Sequence, residues 1–568
     1  MSHSRWNLLP AVPDRLTVPG SGVSPLLAQF LYNRGVSRPE DFQAFLASDR
    51  SLLGDPDLLP GMQAAVARVY RALLSGETVG VYGDFDADGI TATALVVQGL
   101  EALGGTAVPY IPHRQTEGHG LTTGVLTKLH EEGVSLVITV DCGVTDVLQV
   151  KKAMKSGQDI IITDHHNPLE EIPDAIAVID PKLENSAYPF LHLAGVGVAF
   201  KLMQALFRSL GREDLLETVT DLVAIGTIAD MSQPVGENRY LIRDGLYRMN
   251  TSPRLGIREL LNEKKLEAGT LDADKIGWVL APCLNAAGRL ADGLTGYKLL
   301  MTGSQPEAQE LAAWLCRINE DRQRLTTATH ARAREQVIAE GLPPLLIAAD
   351  KEYPMGIAGL VASRLTEEFY RPSIVIHTAQ NVCHASCRSI PEFDIIGALN
   401  RFSHLFSRYG GHSAAAGFTM PTKNLPELEK GLTAFTAEKL AGIELRPHLD
   451  IDVLVALSEL GGDTYQTTQL LAPFGIGNPV PTFLSRGVEV MEWRRMGGNG
   501  EHLRLKLRQN GTVWDSVAFR LIGHLDELSS SAIDVVYNLE VDTWRGKENL
   551  RLNILDFQMS GQPSVATI

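Results

Sequence analysis

Residues 79–89 have the sequence VGVYGDFDADG, in which a short apolar run ends at three alternating aspartates. The segments LVITVDCG (136–143) and DIIITDHHNP (159–168) repeat this arrangement, with acidic or imidazole groups directly after a β-branched run. Such runs predict buried parallel strands, and the helical patterns between them predict βαβ units. A fourth segment, DLVAIGTIADM (221–231), places Asp230 after an apolar stretch. The predicted fold class is α/β, built on a parallel sheet.

Right-handed crossovers keep the successive strands of such units parallel, so all of their carboxyl ends lie at one edge of the sheet. Open α/β sheets bind ligands in the crevice at that edge. We therefore expect one pocket to collect the polar groups that follow the three predicted strands, namely Asp84, Asp86, Asp88, Asp141, Asp164, His165 and His166.

The ligand types in this pocket indicate its chemistry. Carboxylates with one or two imidazoles and no thiolate suit Mn²⁺ or Mg²⁺ better than a structural zinc. So many carboxylates could not stay ionised together without cations, because like charges raise one another's pKa. Two ions roughly 3.5–4 Å apart that share a carboxylate are the usual centre for in-line displacement at phosphorus. The first hypothesis is phosphoester hydrolysis, although a DxDxD run alone is also typical of a solvated turn or a calcium loop.

Length and composition indicate a large globular enzyme. The 568 residues exceed a single core and predict three or four domains. Contents of 44% hydrophobic and 21% charged residues exclude extensive disorder. No run of 18 apolar residues occurs and the start MSHSRWNLLP lacks the features of a signal peptide, so we expect a cytoplasmic protein. The five cysteines are scattered without zinc spacing, and we expect them to be reduced thiols.

The charge balance bears on a nucleic-acid partner. With 51 basic and 67 acidic residues the net charge is −16, which by itself disfavours such a partner. Two divalent ions would offset about four of these negative charges, and basic clusters lie elsewhere in the chain. The negative net charge therefore disfavours a nucleic-acid partner but does not exclude one.

Changes of pattern along the chain predict its domains. We expect an N-terminal arm with short helices (1–60), a first α/β domain (61–235), a helical connector (236–341), a smaller α/β domain (342–425), a linking helix (426–447) and a small antiparallel β-barrel (448–560).

The smaller α/β domain contains GGHSAAAGFTM (410–420), whose glycines and small residues would let a backbone approach a ligand closely. Free N–H groups around Gly411 and His412, or a helix N-terminus there, would suit a phosphate. Arg364, Arg388 and Ser389 could join this group. The same residues are also typical of a tight turn beside a buried segment of small residues, without any ligand.

The barrel region contains LRLKLR (503–508), in which leucines alternate with Arg504, Lys506 and Arg508. This alternation predicts a strand with one apolar face and one cationic face. Basic residues interleaved with aromatic ones are typical of single-stranded nucleic-acid binding, and the neighbouring candidates are Trp493, Arg494, Arg495, Trp544, Arg545 and Arg551. A solvated strand face is the alternative.

The motifs DFDADG, PHRQTEGHGL, VDCG, TDHH, AGVGVAFKL, ADM, LNAAGRL, CRSI, GGHSAAAGF and LLAPFGIGNPVP together resemble the RecJ-type single-stranded-DNA exonucleases of the DHH phosphoesterase superfamily. The resemblance covers nearly the whole chain in order. It implies a DHH domain, a connecting helix, a DHHA1 domain and an OB-fold barrel, with substrate in a channel between the first two domains. It also implies 5′-to-3′ release of mononucleotides, two Mn²⁺ or Mg²⁺ ions, a role in DNA repair and recombination, a monomer, and partners such as a single-strand-binding protein and a helicase.

The resemblance assigns metal ligands residue by residue. It implies that the ligands are Asp86, Asp88, the bridging carboxylate of Asp141, the imidazole of His165 and the carboxylate of Asp230. Several members of the superfamily have a histidine where this chain has Tyr82, which would leave one coordination position to water.

The resemblance also assigns catalytic and substrate-binding residues. His166 matches the histidine that meets the substrate phosphate, and Asp84 and Asp164 are grouped with it as catalytic; Asp84 matches an additional acidic position of this branch, either as a ligand or behind the ligands. The candidate substrate-binding residues are Arg114, Arg289, Arg364, Arg388, Ser389, Gly411 and His412, to which the alternation in the barrel strand adds Arg504, Lys506 and Arg508.

Two other functions remain open. A DHH-type phosphodiesterase for short oligonucleotides or cyclic dinucleotides would usually lack the barrel at 448–558. A non-catalytic Cdc45-like scaffold would be expected to lose the acidic cluster, which is intact here.

Overall fold

The computed structural model describes residues 4–16, 23–114, 116–498, 500–529, 532–544, 547–561 and 565–567. The N-terminal arm contains β1 (Arg5–Leu8), α1 (Pro25–Asn33) and α2 (Pro39–Ala47). Ser24 caps α1 by accepting a hydrogen bond from the N–H of Leu27, and Pro25 occupies the first turn, where its missing N–H costs nothing.

The first α/β domain follows the arm. Its elements are α3 (Met62–Ser75), β2 (Thr78–Gly83), α4 (Ala87–Ala102), β3 (Thr106–Tyr110), α5 (Thr123–Glu131), β4 (Leu136–Val140), α6 (Val147–Lys155), β5 (Asp159–Thr163), β6 (Ala177–Ile179), α7 (Gly195–Ser209) and α8 (Thr220–Ala229). The strands form one sheet in the order β3-β2-β4-β5-β6, and every adjacent pair is parallel. The predicted α/β class with a parallel sheet is confirmed.

Apolar helix faces cover both sides of this sheet. Residues of α3, α4, α7 and α8 form a large buried cluster with one face, and α5 and α6 supply Leu126, Leu129 and Val150 to a second cluster on the other. Strands β4 and β5 are therefore buried along almost their whole length, as expected for parallel strands. The carboxyl ends of β2, β4 and β5 meet at one edge.

The helical connector links this domain to the next. It consists of α9 (Gly236–Thr251), α10 (Leu255–Glu263), α11 (Ala273–Lys275), α12 (Ala281–Leu290), α13 (Leu294–Met301) and α14 (Gln305–Ala339), with a π-helical turn at Ile276–Leu280. The 35 residues of α14 bridge the two α/β domains, as the sequence predicts. Oδ1 of Asn285 in α12 accepts the N–H of Ala87 at 2.7 Å, so the connector holds the turn between β2 and α4.

The second α/β domain has a mixed sheet. Its elements are β7 (Leu346–Asp350), α15 (Met355–Phe369), β8 (Ser373–Thr378), β9 (Val382–Arg388), α16 (Ile395–Asn400), β10 (Arg408–Gly411) and β11 (Ala415–Pro421), followed by α17 (Leu425–Lys439). The strand order is β10-β11-β9-β8-β7, with only β7 and β8 parallel. The GGHSAAAGFTM segment forms a β-hairpin with His412 at its turn. Of the alternatives left open by the sequence, the structure has the tight turn and not a helix N-terminus.

The C-terminal region is a closed five-stranded barrel with additions. Its elements are β12 (His448–Ile451), β13 (Val453–Leu454), α18 (Gly462–Gln469), β14 (Phe483–Met496), β15 (His502–Gln509), β16 (Thr512–Ala518), β17 (Ile533–Trp544), β18 (Lys547–Met559) and β19 (Val565–Thr567). Pairing of β14 with both β15 and β17 closes the barrel. The predicted β-barrel is confirmed. The pairs among its five strands are antiparallel except β16 with β18, which pair in parallel and correct the expectation of an antiparallel barrel.

The N-terminal arm is part of the barrel module, which the sequence did not predict. Strand β1 pairs in parallel with β12 and β19, and Nε1 of Trp6 donates to Oδ2 of Asp556 at 2.9 Å. The ring of Phe30 packs edge-on against Phe483, with centroids 5.8 Å apart, inside an apolar cluster shared by α1, α2 and the barrel. Within the described parts of the chain, no helix has the length and apolar character needed to cross a membrane.

Candidate metal centre and substrate cleft

The turn after β2 brings three aspartates to the sheet edge. Asp86 caps α4, with its side chain accepting from the N–H groups of Asp88 and Gly89. The carboxylate of Asp88 accepts from the first backbone N–H groups of α7, those of Gly195 at 2.7 Å and Val196 at 2.8 Å. A helix N-terminus thereby fixes a carboxylate in a buried position.

Asp141 follows β4 in a left-handed backbone conformation, with φ of 61°. This conformation is uncommon for a residue with a side chain, and such outliers cluster at functional sites. Oδ1 of Asp141 lies 3.1 Å from Nε2 of His165, yet it is buried and accepts no hydrogen bond from any residue that the structure describes. Two ligand-type atoms thus face each other without a hydrogen bond between them.

Asp164 orients the two histidines that follow it. Its Oδ1 accepts from the backbone N–H groups of His165 and His166 and lies 2.7 Å from Nδ1 of His166, while Oδ2 accepts the N–H of Val144. Burial alone would raise the pKa of Asp164, but the hydrogen bond from His166 and the imidazole charges hold it well below its usual value. Both oxygens are occupied, so Asp164 acts through His166.

His165 lies between the remaining carboxylates. Its Nε2 is 4.0 Å from Oδ2 of Asp88, and its Nδ1 is 4.0 Å from Oδ2 of Asp230, the C-cap residue directly after α8. Burial lowers the pKa of His165 to about 4, which favours the neutral imidazole that a metal ion requires. The backbone carbonyl of His165 accepts from Nζ of Lys182.

These side chains form three overlapping groups, and within each group the ligand atoms lie within 4.8 Å of one another. The groups are Asp84 with Asp86 and Asp141, Asp88 with His165 and Asp230, and Asp141 with His165 and His166. Because Asp141 and His165 each belong to two groups, the arrangement can hold two neighbouring ions with shared ligands.

The electrostatics of the cluster fit divalent cations. Burial and the charges of neighbouring aspartates raise the pKa of Asp86, and raise those of Asp88 and Asp141 well above their usual values. Such carboxylates repel one another until cations neutralise them. With the unbonded Oδ1 of Asp141, this donor set of carboxylates and imidazoles matches Mn²⁺ or Mg²⁺.

Three arginines lie near one another beside the acidic cluster, on the loop after β3 (Arg114), on α12 (Arg289) and at the end of β9 (Arg388). Arg114 lies over the ring of Phe85, with 4.7 Å between the guanidinium carbon and the ring centroid. Burial lowers the pKa of Arg289 to about 10, and the charge of Arg114 adds to this effect. Burial likewise lowers the pKa of Arg388, again reinforced by Arg114. In the part of the chain that the structure describes, no carboxylate lies within ion-pair distance of these three guanidinium groups, and a bound anion would relieve the repulsion of Arg289 and Arg388 by Arg114.

The hairpin of the second domain reaches the metal centre. Nδ1 of His412 lies 3.3 Å from Nδ2 of Asn167, two residues after His165. Gly411 has φ of 139°, which a side chain would strain. The N–H of Ser389 donates to the carbonyl of Ala414, which places Ser389 and Arg388 beside the hairpin turn.

Arg364 lies on α15, where its Nη1 donates to Oγ1 of Thr327 in α14. Its charge acts on the pKa of Arg322, which burial lowers. Arg364 therefore lies between α14 and α15, near Arg322. Within the described residues, no hydrogen bond joins Arg364 to His412.

The barrel cations are partly neutralised. Leu503, Leu505 and Leu507 of β15 are buried, as the alternation predicts, but Lys506 pairs with Glu492 at 2.9 Å and Arg508 pairs with Glu489 at 2.7 Å. Arg504 lies opposite Arg494 of β14. Among the neighbours named from the sequence, Arg551 pairs with Glu540 and Asp542, and Arg545 lies outside the described residues. The predicted apolar and cationic faces of the strand are confirmed, but glutamates of β14 lie opposite Lys506 and Arg508, so the sheet face that contains the row carries both signs of charge.

Sequence reasoning missed three residues of this site. His119 contacts Asp84, Asn167 contacts His412, and Lys182 contacts the backbone of His165. His119 belongs to the PHRQTEGHGL motif, so the sequence did single out its segment. The contact with Asp84 depends on how the loop folds back, which the motif does not predict.

Comparisons with known proteins agree with this architecture. The description "DHH family, N-terminal domain" matches residues 78–227, "DHHA1 domain" matches 342–438 and "RecJ OB domain" matches 451–556. The single-stranded-DNA-specific exonuclease RecJ of Bacillus subtilis is 35% identical over 543 residues, covering 95% of this chain and 68% of the relative. The crystal structure of RecJ from Thermus thermophilus in complex with Mn²⁺ superposes with a TM-score of 0.85 at 32% identity, covering 98% of this chain and 80% of that one. A second structure of that protein, in complex with Mg²⁺, gives 0.77 at 29% identity, covering 98% and 79%.

The fold and the cluster at the sheet edge define the class: a DHH-family protein with a DHHA1 domain and an OB-fold barrel. At this identity and coverage the chain belongs to the RecJ family.

Proposed function

We propose that this protein is a single-strand-specific DNA exonuclease that hydrolyses phosphodiester bonds with two Mn²⁺ or Mg²⁺ ions and degrades its substrate from the 5′ end. The observation that carries the proposal is the overlap of three ligand groups at Asp141 and His165. Phosphoryl chemistry follows because such paired sites stabilise the attacking and leaving oxygens of an in-line displacement.

The side chains of the site divide into metal ligands and one imidazole that would contact the substrate. The bound ions would supply Lewis acidity and a nucleophile, and Asp86, Asp88, Asp141, His165 and Asp230 would hold them. His166 donates Nδ1–H to Asp164. Burial alone would lower the pKa of His166, but this hydrogen bond and the charge of the Asp164 carboxylate together raise it. The imidazole of His166, which Asp164 holds beside the metal ligands, suits contact with a non-bridging phosphate oxygen.

The arginines and the hairpin would bind the substrate. Arg114, Arg289 and Arg388 offer charges that burial leaves poorly solvated, so a phosphate is their natural partner. The hairpin turn at His412 closes the cleft opposite His165, where it could hold the phosphate of the terminal nucleotide. The barrel would bind the strand further from the reacting bond.

The test is digestion of single strands labelled at the 5′ or the 3′ end, with Mn²⁺, Mg²⁺ or a chelator. We expect labelled mononucleotide to appear at once from the 5′-labelled strand and only late from the 3′-labelled strand. A matched duplex should resist, and the chelator should stop the reaction. Release of label from the 3′ end first would overturn the polarity, and cleavage restricted to dinucleotides would favour the short-oligonucleotide phosphodiesterase.

We further propose that the protein acts as a monomer and meets a single-strand-binding protein and a helicase on its substrate. The support is the family membership alone. Light scattering coupled to gel filtration would test the monomer, and co-elution with each purified partner would test the contacts.

A further inference from the structure

The loop between β3 and α5 brings an additional imidazole to the metal centre. Nδ1 of His119 lies 2.9 Å from Oδ1 of Asp84, and the side chain of His119 is 51% exposed while that of Asp84 is 3% exposed. The His119 ring also meets the ring of His166 nearly at a right angle, with centroids 5.5 Å apart, and packs near Phe85 at 5.6 Å. His119 therefore lies at the boundary between the ligands and the cleft.

The first domain anchors this loop at both ends. The hydroxyl of Tyr82 donates to the carbonyl of Gly120 at 3.1 Å, and the N–H of Leu121 donates to Oδ2 of Asp146 at 2.8 Å. Before the histidine, the carboxylate of Glu117 accepts from the hydroxyl of Tyr110 and from the N–H of His113, both at 2.6 Å. These bonds limit the directions in which His119 can point.

One further bond to the loop comes from the second domain. Nη2 of Arg408, the first residue of the hairpin strand β10, donates to the backbone carbonyl of His119 at 3.3 Å. The same hairpin contacts Asn167 through His412. Residues of one hairpin therefore contact His119, beside Asp84, and Asn167, two residues after His165.

We propose that His119 is a positioning residue for Asp84, and that Arg408 holds His119 in place across the domain boundary. Donation from Nδ1 to Oδ1 fixes the rotation of the carboxylate and leaves Oδ2 for the ion that Asp86 and Asp141 also face. Residues that orient a ligand in this way typically contribute about 10–100-fold to metal affinity. This inference rests on the proposed metal centre.

Mn²⁺ binding without DNA tests it, by titration calorimetry and by the electron paramagnetic resonance signal of the free ion. His119→Leu should weaken one of two sites by about 10–100-fold. His119→Asn should stay close to wild type, because its amide nitrogen lies where Nδ1 lies and can donate to Oδ1. Arg408→Met should shift the affinity in the same direction as His119→Leu, by less. Arg401→Met, whose guanidinium packs on Phe435 in the same domain, is the matched control and should change nothing.

The outcomes separate this inference from the proposed function. If the wild type bound no Mn²⁺, the metal centre itself would be wrong. If the wild type and His119→Leu bound two ions equally well, the metal centre would stand and His119 would have no positioning role. A loss in His119→Asn as large as in His119→Leu would also overturn the inference, since a donor would then not suffice. Unchanged thermal unfolding of the metal-free variants would separate these effects from misfolding.

Discussion

The backbone N–H of Gly195 donates to Oδ2 of Asp88 at 2.7 Å, so the first residue of α7 holds a carboxylate of the metal centre. A side chain at position 195 would overlap that of Asp141, which explains why a glycine is needed there. One residue thus touches two of the candidate ligands. The start of α7 is as much a part of the site as the turn after β2.

Gly195→Ala should therefore abolish Mn²⁺ binding and hydrolysis while the fold survives. The matched control is Gly197→Ala in the same helix, where a Cβ would lie 3.1 Å from the flexible Cδ2 of Leu193 and should cost little. Calorimetry and single-strand digestion would measure both variants. Equal activity of the two variants would refute the steric argument.

Asp141→Ala should lower hydrolysis by several orders of magnitude, because both ion sites lose a shared ligand. Single-turnover digestion at saturating Mn²⁺ is the measurement. Activity above about a tenth of wild type would be incompatible with a shared metal ligand, since a tenfold effect is only about 1.4 kcal/mol.

The metal-free protein gives a second measurement on Asp141. Burial and neighbouring aspartates raise its folded pKa well above the unfolded value of about 4. Its stabilising contribution is therefore complete below that value and is lost as the pH rises toward the folded pKa. The Asp141→Asn variant has no carboxylate to ionise at this position, so it does not lose this contribution. We therefore expect the difference in melting temperature between the metal-free variant and the metal-free wild type to increase, in favour of the variant, as the pH rises above about 4. Mn²⁺ should reverse the order by stabilising the wild type more. A difference that stays constant with pH would contradict the predicted repulsion.

The sheet and its acidic edge were predictable because they depend on local patterns. β-branched runs fix the strands, and parallel pairing brings Asp84, Asp141 and His165 to one edge whatever the details of packing. The contact between His119 and Asp84 was not predictable, because it depends on a loop held by Tyr82 and Asp146.

The sequence also could not predict which distant segments pair with each other. The bond between Trp6 and Asp556 joins the two ends of the chain, and no periodicity in either segment points to the other. The sequence also did not predict the glutamates opposite Lys506 and Arg508. Their position depends on the register of β14 against β15, which includes a bulge.

His412→Ala should impair cleavage without removing metal. Loss of a hydrogen bond to a charged phosphate costs about 1.5–3 kcal/mol, or roughly 10–100-fold in kcat/KM. Mn²⁺ affinity should stay at the wild-type value because, among the described residues, the side-chain contact between His412 and the centre runs through Asn167, which is not a candidate ligand. His404→Ala, an exposed histidine of the same domain that pairs with Glu427, is the control. Unchanged kinetics on substrates of every length would leave the hairpin with a structural role only.

The barrel is better tested by substitution than by deletion. Removing residues after 448 would also expose the apolar surface on which α1 and α2 pack, so a truncated protein would lose more than the barrel. Arg504, which forms no ion pair among the described residues and lies opposite Arg494, is the informative position. If it contacts a phosphate, Arg504→Ala should reduce the slope of log K against log salt by about 0.7 on single strands.

Glu492→Gln tests the same face with the opposite sign. It releases Lys506 from its ion pair and removes a negative charge, so single-strand binding should tighten and become more dependent on salt. Fluorescence anisotropy with a labelled oligonucleotide across a range of salt concentrations would measure both effects. Glu438→Gln on α17 changes the net charge equally at an exposed position outside the barrel, and it controls for long-range electrostatics. If Glu492→Gln and Glu438→Gln raised the affinity alike, the gain would come from net charge and the β14–β15 face would be merely solvated.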